Sequence, residues 1–519
     1  MDIILVDNIQ FDASNTRYQI GLLSLKNVLN KDFDVQIVHF DRMNFVENIS
    51  TYTDALEQNI ANISCYLVEQ NPKIIGFYTL CSSIQYTLAI SRHIKALSPD
   101  IKIILGGPHA SALAREILSS FSFIDIVCVG EFELQITKLV SNIIENRTLQ
   151  DVSGVAYRSG NEIIQNKVPS MIPGEKLKEY TVLDTNQPSP SRHGLFIEVG
   201  RGCPFRCSFC STANFWGHNF RIKPVEDLIS EIKWHYDHNE IRRFYFVHDL
   251  FTANKKHIIS FCENVISEGL PITWSCSSRI DVLDEETMIA MRNAGCDTLY
   301  IGIETGSQSM QHKINKNIDL KSAMETLKIL VLLGFDVTTS FIYGFPEETE
   351  DEFIDTIKMV EQVMILGAKI QMFRFMAMPK TSATESIKNS LYFDENDISV
   401  SIMPCEINDE IKELILSNPD IFTQYYTFNT EVRSKYKYIE FFVVLLSGHL
   451  NPYEGLRPHD NLAQVINEHG LLNLYFNYFS EIECYSLLVS KSSSVNRSDN
   501  INSEANKNGL NLINKILQN

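Results

Sequence analysis

Leu195-Phe196-Ile197-Glu198-Val199-Gly200-Arg201-Gly202-Cys203-Pro204-Phe205-Arg206-Cys207-Ser208-Phe209-Cys210 is the stretch from which the rest of the chain can be read. Its first half is apolar and β-branched, which predicts a strand, and two glycines then turn it into a loop. The loop sets three thiols at Cys-x3-Cys-x2-Cys, one ligand short of a closed site. A four-iron cluster held by three cysteines leaves one iron open to a further molecule. Zinc would recruit a fourth protein ligand, and His218 is near enough in sequence to supply it. A structural trio of thiols is a third reading.

Working outward, strand then helix recurs six times between residue 194 and about 379. Strands are expected at 195–199, 244–247, 272–276, 298–303, 337–343 and 370–375, with helices such as 225–236 and 351–363, where apolar residues recur at helical spacing. Repeated βα units of this size build an open or closed parallel barrel, whose strand ends share one mouth.

The cysteine spacing, with the aromatic Phe209 just before the last thiol, resembles the cluster loop of the radical S-adenosylmethionine enzymes. That resemblance implies a partial barrel of six units. It also implies a 4Fe-4S cluster on Cys203, Cys207 and Cys210, an open iron that takes the amino and carboxylate groups of S-adenosylmethionine, and cleavage to a 5'-deoxyadenosyl radical. Asp249, in Phe246-Val247-His248-Asp249-Leu250-Phe251, stands where the family holds the amino group, and a carboxylate suits an ammonium. Its other reading is a cap for the helix that begins near Lys255. A hydrolytic His248-Asp249 metal pair lacks partners at recognisable spacing. Arg279 is the expected partner of the methionyl carboxylate, or else an exposed arginine. Glu304 resembles the family acid that accepts from the ribose hydroxyls, or else is a surface carboxylate.

Ser340-Phe341-Ile342-Tyr343-Gly344-Phe345-Pro346-Glu347 matches the family's adenine-contacting Gly-x-Ile-x-Gly-x-x-Glu, except that Ser340 replaces the first glycine. Gly344 is expected to let backbone approach a flat base, with Phe209 packed beside it. Phe341 and Tyr343 also read as ordinary strand aromatics. Met376 and Met378 precede Pro379-Lys380-Thr381, where related enzymes often have Pro-Gly-Thr, so Met376 is placed at the edge of this site and Lys380 is a departure. Trp216 and Arg221 follow the cluster loop, where substrate and a second cofactor would meet; burial in the core is the other reading of Trp216.

Upstream, β-branched runs at 3–6, 35–40, 74–78, 101–105 and 124–129 alternate with amphipathic helical stretches. This predicts a doubly wound, Rossmann-like parallel sheet that binds ligands beyond the carboxyl ends of its strands. There lie Thr79-Leu80-Cys81-Ser82-Ser83, Gly106-Gly107-Pro108-His109 and Gly130-Glu131. Paired glycines alone can simply permit a tight turn. The order and spacing of the three loops, ahead of a cluster loop, resemble the cobalamin-binding domain fused to many radical S-adenosylmethionine enzymes. By that resemblance Thr79, Cys81, Ser82, Ser83, Gly106, Gly107, Pro108, His109, Gly130 and Glu131 are the cobalamin-binding candidates. The Asp-x-His-x-x-Gly signature is absent and His109 lies in another loop context, so cobalamin is expected without a protein histidine on cobalt. Phe132 stands where the family often has glycine in Gly-Glu-Gly-Glu.

At 519 residues the chain exceeds one ordinary domain. The expected division is 1–150 (cobalamin-binding), 151–193 (a hairpin turning at Ser159-Gly160-Asn161, then a polar linker around 186–191), 194–382 (partial barrel) and 383–519. The last part reads as mainly helical, for example at 409–417 and 462–479, with a disordered Ser/Asn-rich loop at 492–509. A hydrophobic share of 44% with 21% charged residues suits a soluble globular protein. Lys+Arg 45 against Asp+Glu 64 leaves a net charge of -19, which disfavours nucleic acid as partner. The N-terminus reads as a strand, without a signal peptide, and the most apolar later run, 441–446, is far short of the ~20 residues that span a bilayer. Cys65, Cys81, Cys128, Cys262, Cys276, Cys296, Cys405 and Cys484 are scattered singly and read as reduced core thiols.

These readings lead to a cytoplasmic monomer without membrane contact, served by an external electron donor such as flavodoxin or ferredoxin. The activity that the resemblance implies is methyl transfer from methylcobalamin to an unactivated carbon, or phosphorus, of a peptide or natural-product substrate. Cyclisation, ring contraction or rearrangement with the same cofactors is the second reading, and a non-catalytic cobalamin or zinc binding regulator the third. A methylthiotransferase is disfavoured because the N-terminal region lacks clustered cysteines for a second cluster.

Overall fold

The computed structural model describes residues 1–9, 19–40, 55–180, 194–395, 397, 407–446, 462–494, 512 and 515. Five β-branched segments form β1 (Ile3–Val6), β2 (Val35–Val38), β3 (Ile74–Tyr78), β4 (Lys102–Gly106) and β5 (Ile126–Cys128), all parallel, in the order β2-β1-β3-β4-β5. Such strands are apolar on both faces because helices cover both. Ile4 and Val6 pack under the helices Leu56–Glu69 and Ile84–Leu97, while Ile3 and Leu5 pack under Ile20–Leu29 and Ile136–Ile144.

The hairpin at 151–166, assigned above to the region between domains, instead extends this sheet. β6 (Val155–Ser159) pairs antiparallel with β5, Val127 opposite Ala156, and β7 (Glu162–Gln165) follows. An unpaired edge at β5 would expose a row of backbone donors and acceptors, and the hairpin covers it. The linker around 186–191 lies outside the described residues.

After β8 (Leu195–Glu198) a separate short antiparallel ribbon pairs β9 (Gly200–Arg201) with β10 (Arg221–Ile222), and the second sheet comprises β8 with β11 (Arg243–Val247), β12 (Thr273–Arg279), β13 (Cys296–Glu304), β14 (Asp336–Tyr343) and β15 (Lys369–Arg374). Its six main strands are parallel in the order β15-β14-β13-β12-β11-β8, with no pairing of β15 to β8, so the barrel is partial. Phe246 and Trp274 point outward and stack at 4.8 Å, part of the apolar layer beneath the surrounding helices. The helix Glu350–Ile365 starts with a reciprocal capping box between Thr349 and Glu352, which satisfies two end donors at once.

The described residues after 382 pack into the cores of the two sheets. Ile411, Leu414, Ile415 and Phe422 complete the core of the N-terminal sheet, while Val432, Ile439, Phe442 and Tyr475 complete that of the barrel. A small ribbon pairs β16 (Tyr392–Phe393), which precedes both parts in sequence, with β17 (Tyr426–Thr427), which lies between them. The helix expected at 462–479 is two, Leu462–His469 and Leu471–Ser494, broken at Gly470 with φ +73°. Residues 492–494 end the second helix, and 495–509 lie outside the described residues. Cys65 faces solvent rather than the core, whereas Cys128, Cys262, Cys276 and Cys296 are buried; Cys405 lies outside the described residues. Among the described residues no helix is long and apolar enough to cross a membrane.

Candidate active site between the two sheets

The cysteine loop is shaped by glycine and by distant anchors. Gly202 has φ +86°, and a Cβ there would fall 1.9 Å from the Asn219 carbonyl oxygen, so no other residue fits without moving the chain. The Ser208 N–H donates to the Ile314 carbonyl at 2.9 Å, and the Ser208 carbonyl accepts from the Ala383 N–H at 3.0 Å. Arg279 lies 3.7 Å above the Phe205 ring and sends Nη1 towards Cys207 Sγ at 3.7 Å. Burial pushes the Cys203 and Cys207 thiols up; at Cys207 the charges of Lys316 and Arg279 work against it. His218, the fourth ligand that zinc would need, is engaged through Nδ1 with the Phe205 carbonyl at 3.1 Å. No trio of His, Cys, Asp or Glu among the described residues closes around a single ion. Three thiols in one loop remain the donor set of a cluster.

Asp249, just past β11, is folded back onto this loop. It accepts from the Gly202 N–H at 3.0 Å and from Thr212 Oγ1 at 3.4 Å, and burial raises its pKa. It does not cap the next helix; Asn254 does, accepting from the His257 N–H at 3.2 Å. His248 beside it accepts the Leu250 N–H on Nδ1 at 2.8 Å, and burial lowers its pKa to about 4, so the ring is neutral.

Arg279 is buried, not exposed. Each of its nitrogens has a partner: Nε and Nη2 on Asp281 at 3.0 and 2.8 Å, Nη2 also on the Lys316 carbonyl, and Nη1 on Cys207. This places it as a prop beneath the cluster loop. Glu304 is likewise no surface carboxylate. It sits at φ +71°, accepting from Lys316 Nζ at 2.6 Å and from Ser340 Oγ at 3.3 Å, all three buried. Strained backbone of this kind persists only where its surroundings hold it. Gly302 makes room: its Cβ would lie 2.2 Å from Glu304 Oε1 and 2.8 Å from Lys316 Nζ. Lys316 and Gly302 carried no signal in the sequence.

The β14 end departs from expectation. Phe209 packs edge-on against Phe345 at 5.8 Å, in an apolar cluster with Ile342 and Phe375, rather than beside Gly344. Gly344 has φ +72°, but Arg433 fills the space of its missing Cβ, 2.8 Å away, and donates to the Gly344 carbonyl at 3.3 Å and to the Phe375 carbonyl at 3.0 Å. Glu347 is exposed; the buried acid is Glu348, which accepts the Gly344 N–H at 2.5 Å and is raised by burial to about 8. Met376 packs into the N-terminal core. Lys380 adopts φ +61°, the conformation glycine favours, and its Nζ meets Glu116 of the N-terminal region at 2.5 Å.

The three N-terminal loops divide. Gly106, Gly107, Pro108, Gly130 and Glu131 line a cavity of about 660 Å³ between the two sheets. Thr79, Cys81, Ser82, Ser83 and His109 do not. Thr79 supports the glycine turn from behind, its Oγ1 donating to the Gly106 carbonyl at 2.7 Å and accepting the Ala110 N–H at 3.1 Å. The Cys81 carbonyl accepts from Gln424, Ser82 and Ser83 bond within their own turn, and the buried His109 ring lies against Ile421, its pKa lowered to about 4 by burial. At Cys81 and His109 the segment after 407 packs against the loop. Gly107 has φ +96°, and a Cβ would meet the Thr79 backbone at 2.8 and 2.9 Å. With Leu5, Gly76 and Ile104 behind it, this wall is glycine and hydrocarbon, a surface suited to a large flat ligand and to cobalamin in particular.

The opposite wall is the barrel mouth, with Thr212, Trp216, His248 and Asp249. Between the walls runs a buried ion cluster. Arg201 reaches Glu198, Glu131 and Glu133 at 2.9, 2.9 and 2.7 Å, and Arg221 reaches Glu131 at 2.7 Å with Trp216 stacked on it at 5.2 Å. Glu131 is thus a clamp between the domains as well as part of the cavity wall. Removing one member of a buried ion cluster costs about 3–5 kcal/mol, because a charge is left uncompensated.

Residues 9–140 match the B12 binding domain family and residues 197–360 the Radical SAM superfamily. The chain joins a B12-binding domain to a radical SAM domain: it is a radical SAM enzyme, and its cofactors are S-adenosylmethionine, a 4Fe-4S cluster and cobalamin. It is 29% identical over 357 residues to an uncharacterized methyltransferase of Pyrococcus horikoshii, covering 67% of this chain and 73% of that protein. It is 27% identical over 301 residues to the anaerobic magnesium-protoporphyrin IX monomethyl ester cyclase of Rubrivivax gelatinosus, covering 56% of this chain and 54% of the cyclase, so it spans only about half the length of that relative. In fold it is similar to the radical S-adenosylmethionine methyltransferase TsrM of Kitasatospora setae, solved with tryptophan and aza-SAM, at TM-score 0.64 and 14% identity over 93% of this chain and 100% of that one.

Proposed function

We propose that this chain transfers a methyl group to an unactivated carbon of a small molecule or peptide. One observation carries the reading: the glycine turns of the B12-binding domain and the mouth of the radical SAM barrel wall a single cavity. When bound, the cofactors supply the hard chemistry, a one-electron cleavage of S-adenosylmethionine and a cobalt-borne methyl group, with electrons from an external flavodoxin or ferredoxin.

The residues do the placing. Cys203, Cys207 and Cys210 would hold the cluster, and Arg279 and the Ser208 bonds fix their loop. Asp249, drawn to Gly202, stands beside that loop as the carboxylate for an ammonium, and the Glu304 carboxylate, shared with Lys316 and Ser340, is the acceptor for ribose hydroxyls. Arg201 and Glu131 hold the two walls at a fixed separation while their side chains neutralise one another. Among the described residues, the neutral His248 and the bonded acids leave no free general base at the mouth, which suits hydrogen abstraction better than proton transfer.

A second reading has support from the cyclase relative: the same cofactors without methyl transfer, in cyclisation or rearrangement. The test uses anaerobically reconstituted enzyme, S-adenosylmethionine labelled in the methyl group, and a small-metabolite extract. Label entering a product, together with 5'-deoxyadenosine, is expected. Turnover to 5'-deoxyadenosine with a new product that never carries label would replace the first reading with the second.

A further inference from the structure

The cavity continues from the mouth into the barrel lumen, and its inner end has a composition of its own. On β12 Ser275, Cys276 and Ser277 line the cavity, while Trp274 is buried in the core. Ser278, the third serine of this strand, is buried and bonded to Thr252 and to the Arg279 carbonyl, whereas Ser275 and Ser277 are half-buried at the cavity. The strand register sets Phe196, Tyr245, Ser275 and Thr298 in one row across β8, β11, β12 and β13, with Ser277 beside Tyr300 in the next. Phe196 and Tyr245 stack at 4.5 Å with their planes 21° apart, making a flat aromatic side to the chamber.

The hydroxyls of these rows differ in what they already bond. Thr298 Oγ1 donates to Asp297 at 2.9 Å and accepts from Arg243 at 3.2 Å, and Tyr300 and Tyr245 have side-chain partners in Ser340 and Arg243. Ser275 Oγ and Ser277 Oγ have none among the described residues, and both open onto the cavity. The charges of the cavity are equally one-sided. Its lining carboxylates are Glu131, Glu133, Glu198 and Asp249, and among the described residues its one lining Arg or Lys is Arg201. All three Arg201 nitrogens are already on carboxylates. A phosphate, phosphonate or carboxylate entering here would meet acidic side chains, and among the described residues the two arginines beside them, Arg201 and Arg221, are buried and already on Glu131, in surroundings where charge is weakly screened.

We infer that Ser275 and Ser277 are substrate-recognition residues, and that the substrate is electrically neutral where it enters the lumen. It carries a flat ring that lies on Phe196 and Tyr245, and hydroxyl, carbonyl or amide groups that meet the two serines. The inference rests on the proposed function only in placing substrate in this cavity.

The test is equilibrium dialysis of the full chain, reconstituted with its cofactors, against 4-nitrophenyl β-D-glucoside and 4-nitrophenyl phosphate, read by nitrophenyl absorbance on the protein-free side. The two probes share the ring and differ in charge. The glucoside is expected to be retained at least about tenfold more tightly than the phosphate. In the Ser275→Ala, Ser277→Ala double variant the glucoside should weaken by about tenfold, the sum of two modest neutral hydrogen bonds. The Ser275→Thr, Ser277→Thr variant, which keeps both hydroxyls, should recover most of the binding, which a general loss of folding would not allow. Equal or tighter retention of the phosphate, no retention of the glucoside, or an unchanged double alanine variant would overturn the inference. Because dialysis reads no methyl transfer, an unlabelled cyclised product would defeat the proposed function and leave this result standing.

Discussion

The two parallel sheets meet one cavity with opposite chemistry. The strand ends of the N-terminal sheet present Gly76, Gly106, Gly107 and Gly130 with Leu5 and Ile104, with Glu131 and Glu133 where they meet Arg201 at the seam, and the barrel side presents hydroxyls, aromatic rings and carboxylates such as Asp249. A large cofactor is recognised on the first side by shape, which glycine allows and any Cβ forbids. On the second side the reacting groups are held by side chains, whose positions depend on bonds to residues far along the chain. The first wall should fail by steric steps and the second by chemical ones.

The largest expected effect is on the barrel side. Cys207→Ala should abolish iron-sulfur absorbance, which in the wild type corresponds to about four irons per chain, and with it all 5'-deoxyadenosine formation, because two thiols cannot hold the cluster. An intact cluster in that variant would return the loop to structural thiols. On the seam, Glu131→Gln leaves Arg201 and Arg221 undercompensated and should cost about 3 kcal/mol of stability, read by chemical denaturation. On the glycine side, Gly107→Ala should lose most cobalamin retention and about 2 kcal/mol or more, from its left-handed backbone and from the clash with Thr79. Gly160→Ala is the control: φ is +60° but nothing lies within 4 Å, so backbone strain alone, about 1 kcal/mol, should appear.

Acid should weaken the fold in a defined window. His109, His235 and His248 are buried neutral and lowered to about 4 by burial, so the unfolded chain binds more protons between pH 6.5 and 4 and stability falls as pH falls through that range. Each contributes up to about 1.4 kcal/mol per pH unit. Glu348, raised to about 8 by burial, acts with the opposite sign between 4.5 and 8 and offsets one of the three. Denaturation midpoints across pH should show a shallower slope for His109→Asn. The smallest effect belongs to Lys380→Gly: relief of a positive φ, about 1 kcal/mol, against loss of a half-exposed pair with Glu116, about 0.2–1 kcal/mol, should leave stability between that of wild type and about 0.8 kcal/mol above it.

What could be read in the sequence was whatever neighbours in the chain decide. β-branched runs gave eleven strands of the two main sheets, because burial between helical layers writes itself as continuous apolar segments. The glycines at 106, 107 and 130 and the cysteine loop were legible for the same local reason. Partners distant in sequence were not. Glu131 finds Arg201 70 residues on, and Arg433 covers Gly344 across 89 residues, through packing that no local spacing encodes. The Thr79 to Ser83 loop looked like a ligand loop from one side only; the chain that covers it comes more than 300 residues later. Lys380 shows the reverse: a broken motif keeps its backbone shape and gains a domain contact.

The stretch between 407 and 446 feeds apolar side chains first into the N-terminal core and then into the barrel core. Every described residue that walls the cavity has been passed by Tyr300. A chain made from its amino terminus therefore finishes both walls before the segment that ties them exists, with more than a hundred residues still to come. In that interval every described lining residue has been made, while β14, β15 and the segment that ties the two cores together are still to be added.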